Sequence, residues 1–496
     1  MDETAYDNVP YPGQAHAHTH PNRVGAIARL FGVDPPRVAT ARVLEIACGD
    51  GANLIPIAYS LPRARCVGFD LAPTAVARAQ ERVARLGLRN CEIKVADLVS
   101  VGTSLGEFDY VIAHGLYSWV PAPLRDALLR LIAAALAPAG VAFVSYNVYP
   151  GWHLSRMVRE MIRFHTREIK DPAARIEQAR ALLRFVAAAQ NSDDADRRLL
   201  AAECERMATH EPGYMFHDDL ADVNDPVYFH EFVAHARQFG LDFVADADFA
   251  SMTSTQFPEA TRAKLDELRG EPILHGQYMD FVTCRRFRQT LLCRMGSVRA
   301  ASPVPGATRN LYFASAGRPD TLPIDFGTGV EVQFRWGKRT SLRTDHPLAK
   351  AVFLALGQRW PQALSFDEVL AIATRLIGND SAEDASTLER ILLTGFGLRM
   401  VDASSEPWLA VSAPSVHPRA SALARLEAES SSIVTSLMQR RVGLDEPLVL
   451  GLLRLCDGTR DRQSLLAELS HHDPNVNDDV LQQHMAWLAL VGLMEA

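Results

Sequence analysis

The chain has no long uninterrupted apolar run. Its best candidate, LLRLIAAALAPAGVAFV, is broken by Arg130, Pro138 and Gly140, whereas a bilayer crossing needs roughly 20 apolar residues in succession, so no membrane insertion is expected. Basic residues are in deficit: 51 Lys and Arg against 59 Asp and Glu leave a formal net charge of −8, which gives no general attraction to nucleic acid or anionic lipid. Cysteine is scarce and scattered. The seven (Cys48, Cys66, Cys91, Cys204, Cys284, Cys293, Cys456) form no Cys-x-x-Cys pair, so neither a disulfide framework nor a zinc site follows, and a reduced, cytoplasmic setting is expected. The opening MDETAYDNVPYPGQ is acidic and polar, unlike a secretory signal or a transit peptide.

What is present describes a globular protein of several domains. Of 496 residues, 48% are hydrophobic and 22% charged, a length that fits two to four domains. From residue 23 to about 146, short apolar runs alternate with amphipathic segments. ARVLEIA, CVGFDL, CEIKVADL, FDYVIAHG and VAFVSYN read as five strands, separated by helical stretches such as PTAVARAQERVARLGL, with Pro73 suited to its first turn and Gly87 to its stop. Apolar strands alternating with helices predict an α/β fold with a parallel sheet covered on both faces. Residues 154–238 show helical patterns only, and LDFVADADF and RQTLLCR then add two strands. The fold expected is a Rossmann-like seven-stranded sheet over 23–153 and 239–295, interrupted after strand five by a helical insertion over 154–238. Residues 296–310 have a linker's Ala, Ser, Pro and Gly composition. Two units of helix, turn, two helices and a short apolar strand follow, over 311–405 and 415–496, and predict two α+β winged-helix-like domains.

The chemistry concentrates at the carboxyl ends of the first three strands, where sheets of this kind bind nucleotide-like ligands. Strand one ends in VLEIACGDGANL, with the spacing Glu45-x-Ala47-x-Gly49-x-Gly51. Glycine removes the Cβ atoms that would block a ligand's approach to backbone. Asp70 closes strand two and can accept both ribose hydroxyls, with Leu71 beside it; Asp97 closes strand three and can accept an adenine amino group while Leu98 packs on the ring. An aspartate at a strand end is often only a cap or turn former, but three acids on successive strands exceed what capping requires. The spacing differs from the phosphate-wrapping G-x-G-x-x-G. An acidic site without cations suits a ligand that carries an ammonium and a sulfonium instead of phosphate, namely S-adenosylmethionine.

With these residues in view, the chain resembles the class I methyltransferases, and within them a bacterial subfamily that carries a methyltransferase regulatory domain. YDNVPYPG at 6–13, THPNR at 19–23, LEIACGDGANLIP, AHGLYSWVP at 113–121, SYNVYPGWH at 145–153, DVNDPVYFHEF at 222–232 and RRFRQTLLC at 285–293 are similar to that family's motifs. The resemblance implies an S-adenosylmethionine-dependent enzyme related to protein-lysine methyltransferases of outer-membrane proteins, with a helical dimerisation insertion, a middle domain and a C-terminal domain. It therefore implies a protein lysine side chain as acceptor and a homodimer. The alternatives are N- or O-methylation of a small biosynthetic molecule and, in another class, a DNA-binding regulator.

A lysine nitrogen must arrive neutral, and an aromatic, desolvated pocket helps to deprotonate it. Candidates after strand four are His114, Tyr117 and Trp119; after strand five, Tyr146, Asn147, Tyr149 and Trp152. Of these, Tyr146, Asn147, Tyr117 and Trp152 are assigned to the acceptor, Tyr146 and Asn147 orienting its amine. His114 is expected to present its backbone carbonyl to the cofactor's ammonium. Tyr and Trp near loops also commonly just pack a helix on a sheet. Within residues 1–22, Tyr6 and Tyr11 are candidates to close over the cofactor as a lid, the alternative being a disordered tail. His16, His18 and His20 alternate and would share one face of an extended strand, but nothing else in the sequence supports a metal, and an exposed loop is expected. In the insertion, Met157, Met161 and Phe164 form an apolar stripe, as either core or interface. DNA binding needs a basic recognition helix. STLERILLTGFG and DDVLQQHMAWLALVG are acidic or apolar, and Arg335, Lys338, Arg339 and Arg343 fit a solvated hairpin, so no nucleic acid partner is expected.

Overall fold

The computed structural model describes the chain apart from residues 1–8, 10, 191–193, 298, 338–339, 379–382, 472 and 474; Tyr6, Lys338 and Arg339 thus lie outside the described residues. Seven strands build one sheet: β1 Arg42–Ile46, β2 Arg65–Asp70, β3 Cys91–Val95, β4 Phe108–Ala113, β5 Leu136–Asn147, β6 Leu241–Asp246 and β7 Phe287–Arg294. Their order is β3-β2-β1-β4-β5-β7-β6. The pairings from β3 through β5 are parallel, and β7 runs antiparallel to both β5 and β6. The last two strands are joined by some forty residues carrying the helices Glu259–Asp266 and Pro272–Thr283, not by a tight hairpin.

Side chains alternate across the strands, so each strand feeds two cores. Val43, Ile112 and Phe143 face the helices Pro21–Leu30, Leu54–Ser60 and Pro73–Arg85. Leu44, Val111 and Val144 face Ala122–Ala135 and Phe229–Gln238 through Leu128, Ile132, Phe229 and Phe232. The first core continues into the 311–405 unit through Leu311, Phe313, Phe353, Leu392 and Val401. The segment at 296–310 accordingly departs from a free linker: the backbone N–H groups of Ala300 and Val304 donate to the carbonyls of Phe31 and Leu30, at 2.8 and 2.7 Å.

The insertion after β5 packs the helices Trp152–Thr166, Pro172–Ala188 and Ala195–Ala208 around Val158, Ile162, Leu183, Cys204 and Met207. Met157 and Phe164 are exposed, so the stripe read from the sequence is one position off the buried face. The C-terminal unit has its own core, including Val449, Leu452, Leu465, Leu481 and Leu488. Its hairpin, Ile433–Thr435 with Arg441–Gly443, reaches back to the sheet domain.

Candidate active site

The turn after β1 is shaped for backbone approach. Ala47, Gly49 and Gly51 all have positive φ, at 57°, 55° and 74°. A Cβ at Gly49 would meet nothing within 4 Å, so the backbone there borders open space that a side chain would enter. Glu45 is buried beneath the turn; its Oε1 accepts from Asn53 Nδ2 at 2.7 Å, while Oε2 is buried with no hydrogen-bond partner among the described residues. Burial pushes its carboxyl up to about 8, against the downward pull of the Asn53 bond. Asp70 fastens the turn: Oδ2 accepts the Gly49 N–H at 2.8 Å and Oδ1 the Ala72 N–H at 2.9 Å. Burial raises its pKa, and these backbone bonds oppose the rise. Asp97 is exposed and accepts the Val99 N–H at 2.7 Å, Leu98 packs against the second core, and Leu71 is half exposed. Acids line the strand ends and the orphaned oxygen of Glu45 lacks a donor, which fits a cationic, phosphate-free ligand. The residues present therefore suit S-adenosylmethionine.

The N-terminal segment lies over this turn. Val9 O accepts from His217 Nε2, Tyr11 Oη donates to Asp218 Oδ2 at 3.3 Å, and a Cβ at Gly13 would come within 2.3 Å of Asp50 Oδ1. A larger residue there would have to displace the Asp50 side chain and press on Ala52. The three alternating histidines are packed, which corrects the expectation of an exposed loop. The His16 ring stacks on His114 at 3.7 Å, His18 Nδ1 bonds Ala247 O at 3.1 Å, and His20 Nε2 bonds Ser60 Oγ at 2.9 Å. Their rings diverge because the segment turns into the short helix Ala17–Thr19 instead of running extended. Burial lowers His16 to about 4, His20 to about 3, and His114 well below its ordinary value.

On the acceptor side the structure separates the expected residues. Tyr146 is buried, its ring stacked on Phe232 at 3.9 Å and its hydroxyl bonded to Thr290 Oγ1 at 2.8 Å. Tyr117 is buried against the same Phe232, its hydroxyl bonded to His235 Nδ1 at 2.8 Å. Both tyrosines pack the second core, and their hydroxyls are engaged by His235 and Thr290 there. Asn147 stays at the strand end: its N–H donates to Ser118 Oγ at 2.9 Å and its Nδ2 to Asn224 Oδ1 at 3.2 Å, leaving Oδ1 as the acceptor. Trp119 and Trp152 meet edge to face at 6.4 Å. Tyr149 stacks on His153 at 4.1 Å and its hydroxyl accepts from Arg156.

Reading the sequence missed three residues: Asn224, inside the DVNDPVYFHEF motif; Asn53, just past the glycine turn; and Gln439 of the C-terminal hairpin, which has no local signal. It also missed a buried ion cluster, in which Arg288 holds Asp246 at 2.7 Å and Asp280 at 2.8 Å and ties β6, β7 and the helix Pro272–Thr283 together.

Three family models match the chain: a methyltransferase domain over residues 43–140, a predicted methyltransferase regulatory domain over 211–294, and a PKMT C-terminal winged helix domain over 417–477. An uncharacterized protein of Rickettsia prowazekii (strain Madrid E) is 30% identical over 491 residues, covering 95% of this chain and 86% of its own. Among solved structures, PKMT2 from Rickettsia typhi in complex with AdoHcy superposes with a TM-score of 0.89 at 26% identity, over 98% of this chain and 100% of that one. A second structure of PKMT2 from Rickettsia typhi gives 0.87 at 25%. With the acidic glycine turn, the strand order and these full-length matches together, the chain belongs to the family of bacterial S-adenosylmethionine-dependent methyltransferases that carry a methyltransferase regulatory domain and a C-terminal winged-helix domain.

Proposed function

We propose that this methyltransferase acts on lysine side chains of a protein, and that Asn147 Oδ1 receives the acceptor amine. The observation that carries the reading is the Asn147 amide at the end of β5, whose Nδ2 is engaged by Asn224 Oδ1 so that its oxygen is turned to accept; the Trp119–Trp152 pair on the segments after β4 and β5 and the likeness to PKMT2 over nearly the whole chain support it. S-adenosylmethionine, when bound, supplies a methyl group made electrophilic by its sulfonium. Glu45 and Asp70 hold the donor, Glu45 with its orphaned oxygen and Asp70 with the lone pairs its backbone bonds leave over. Trp119 and Trp152 form an apolar entrance that disfavours the charged amine, whose reference pKa is about 10.4, so its proton passes to bulk water as the side chain enters and before water is excluded. Asn147 then accepts one N–H and fixes the lone pair toward the methyl group, where orientation is the main contribution to rate.

Asn147→Ala is expected to lower kcat about a hundredfold, on the scale of losing a positioned transition-state hydrogen bond, with S-adenosylhomocysteine affinity kept within about threefold. Isotopically labelled cofactor incubated with cell extract should mark protein lysines. Label appearing only in the low-mass fraction, or full turnover by Asn147→Ala, would sink the reading.

The N-terminal segment from Val9 to His16 serves in this reading as a lid. Two copies meet in this reading across the insertion helices, whose exposed apolar side chains include Phe164 and Phe185, at 69% and 70%, with Met157 and Leu199. Light scattering should give twice the chain mass, and Phe164→Asp with Phe185→Asp should give the chain mass; a wild-type monomer removes the dimer. All seven cysteines are free thiols, in keeping with a cytoplasmic setting. Among the described residues no helix is long and apolar enough to cross a membrane.

A further inference from the structure

Asn53 is a junction. Its Nδ2 donates to Glu45 Oε1 at 2.7 Å, and its Oδ1 accepts from the His16 N–H at 2.9 Å and Gln439 Nε2 at 2.6 Å, with the Thr19 hydroxyl, whose proton goes to the His16 carbonyl at 2.8 Å, beside it at 3.0 Å. The first of those donors belongs to the N-terminal segment. The second comes from the C-terminal unit, 386 positions away in sequence.

Gln439 does not arrive there by accident of a loose loop. It sits at the turn between the hairpin strands Ile433–Thr435 and Arg441–Gly443, with 1% of its surface exposed. Its φ is 56°, the left-handed region that glycine enters freely and a side chain disfavours. A strained position that nevertheless carries a long polar side chain points to a use for that side chain. Both neighbours are anchored: Met438 packs with Ala314, Trp360 and Trp408, and Arg440 pairs with Asp402 and lies 5.6 Å over the Trp360 ring. The turn is thereby held in place, and its middle residue is delivered to Asn53.

We propose that Gln439 is a positioning residue for cofactor binding: by donating to Asn53 Oδ1 it fixes the Asn53 amide with Nδ2 toward Glu45, so that the C-terminal unit sets the acid that receives the ligand's ammonium. The proposal rests on the cofactor assignment of this site. A primary amide has one donating and one accepting edge. Turned over, Asn53 would present oxygen to a carboxylate and its NH2 to two N–H donors, so His16 and Gln439 both resist that flip. Gln439 is the donor that no neighbouring stretch of sequence supplies.

The groups facing Glu45 are Asp70 at the end of β2, Asp50 in the turn, and the thiols of Cys48, Cys66 and Cys91. The carboxylates only repel it, and a thiol is a far weaker donor than the Asn53 amide. Releasing Asn53 therefore moves the Glu45 carboxyl further up from about 8, and binding that needs the carboxylate moves to higher pH with it.

The test is calorimetric titration of S-adenosylhomocysteine into the full-length protein from pH 6 to pH 9. Gln439→Met keeps the length of the side chain without its donor. Gln439→Glu keeps size and polarity but offers oxygen to oxygen, and it serves if the methionine variant does not melt cooperatively. Either should weaken binding about tenfold near neutral pH, the scale of one hydrogen bond to a charged partner's holder, and shift the midpoint of the pH dependence upward. In an Asn53→Ala background the same substitutions should add less than about twofold, because the pathway is already cut. A cooperatively folding variant with unchanged affinity and midpoint overturns the proposal, and so does an undiminished effect in Asn53→Ala. Wild-type protein that binds no S-adenosylhomocysteine at any pH would instead overturn the cofactor assignment, and the positioning role with it.

Discussion

Asp70→Ala should weaken S-adenosylhomocysteine binding by about a hundredfold or more. The carboxylate sits at the end of β2, where a ribose would lie, and already holds the glycine turn through the Gly49 N–H. A hydrogen bond to a charged acceptor contributes about 1.5–3 kcal/mol, and two ribose hydroxyls at the low end amount to about 3 kcal/mol, or two decades in affinity. Loosening of Gly49 adds to that loss. Asp70→Asn retains one acceptor and should fall between. Calorimetry reads both directly, and an alanine variant that binds within about threefold of wild type would remove Asp70 from the ribose site.

Acid should release the N-terminal segment. His16 and His20 are held at about 4 and about 3, and His114 well below 6.5, chiefly because burial penalises their charged forms. Each folded-state pKa is depressed, so the unfolded chain binds more protons below 6.5. The stability these groups contribute is complete above that pH and is lost as pH falls toward their folded values. At pH 5 His16 and His20 each cost about 2 kcal/mol, at 1.36 kcal/mol per unit, a large share of the roughly 5–15 kcal/mol that holds an ordinary domain, and His114 adds in the same direction. The stacked pair His16–His114 is the weakest point, since protonating both rings sets like charges 3.7 Å apart. Melting temperature should therefore drop steeply from pH 7 to pH 5, and protease should cut the segment ahead of Pro21 first. A flat profile over that range would contradict the packing of these rings.

The sheet was legible because each strand is a short apolar run set between helical patterns, and because β1, β2 and their acids are close in sequence. Glu45, Gly49, Gly51 and Asp70 fall where the strand ends put them. The inward packing of Tyr146 is contained in the alternation: it shares parity with Val144 and Ala142, which face the second core, whereas Asn147 does not. Tyr117 needed the position of Phe232, more than a hundred residues on, and no local pattern supplies that. The histidines read as exposed because polar side chains in a Pro-rich stretch usually are; their burial depends on His114, Ala247 and Ser60. Gln439 and Asn224 act over long sequence distances, where periodicity carries no information.

The bond between Asn53 and Gln439 also has a meaning in time. A ribosome adds about 5–20 residues per second, so the 386 positions between them take roughly 20 to 80 s to make. Throughout that interval the glycine turn exists without its last contact. The newborn protein thus emerges with its donor pocket unfinished, and a prematurely terminated product, lacking the final hairpin, would carry the recognisable enzyme domain while being poorly able to charge itself for reaction.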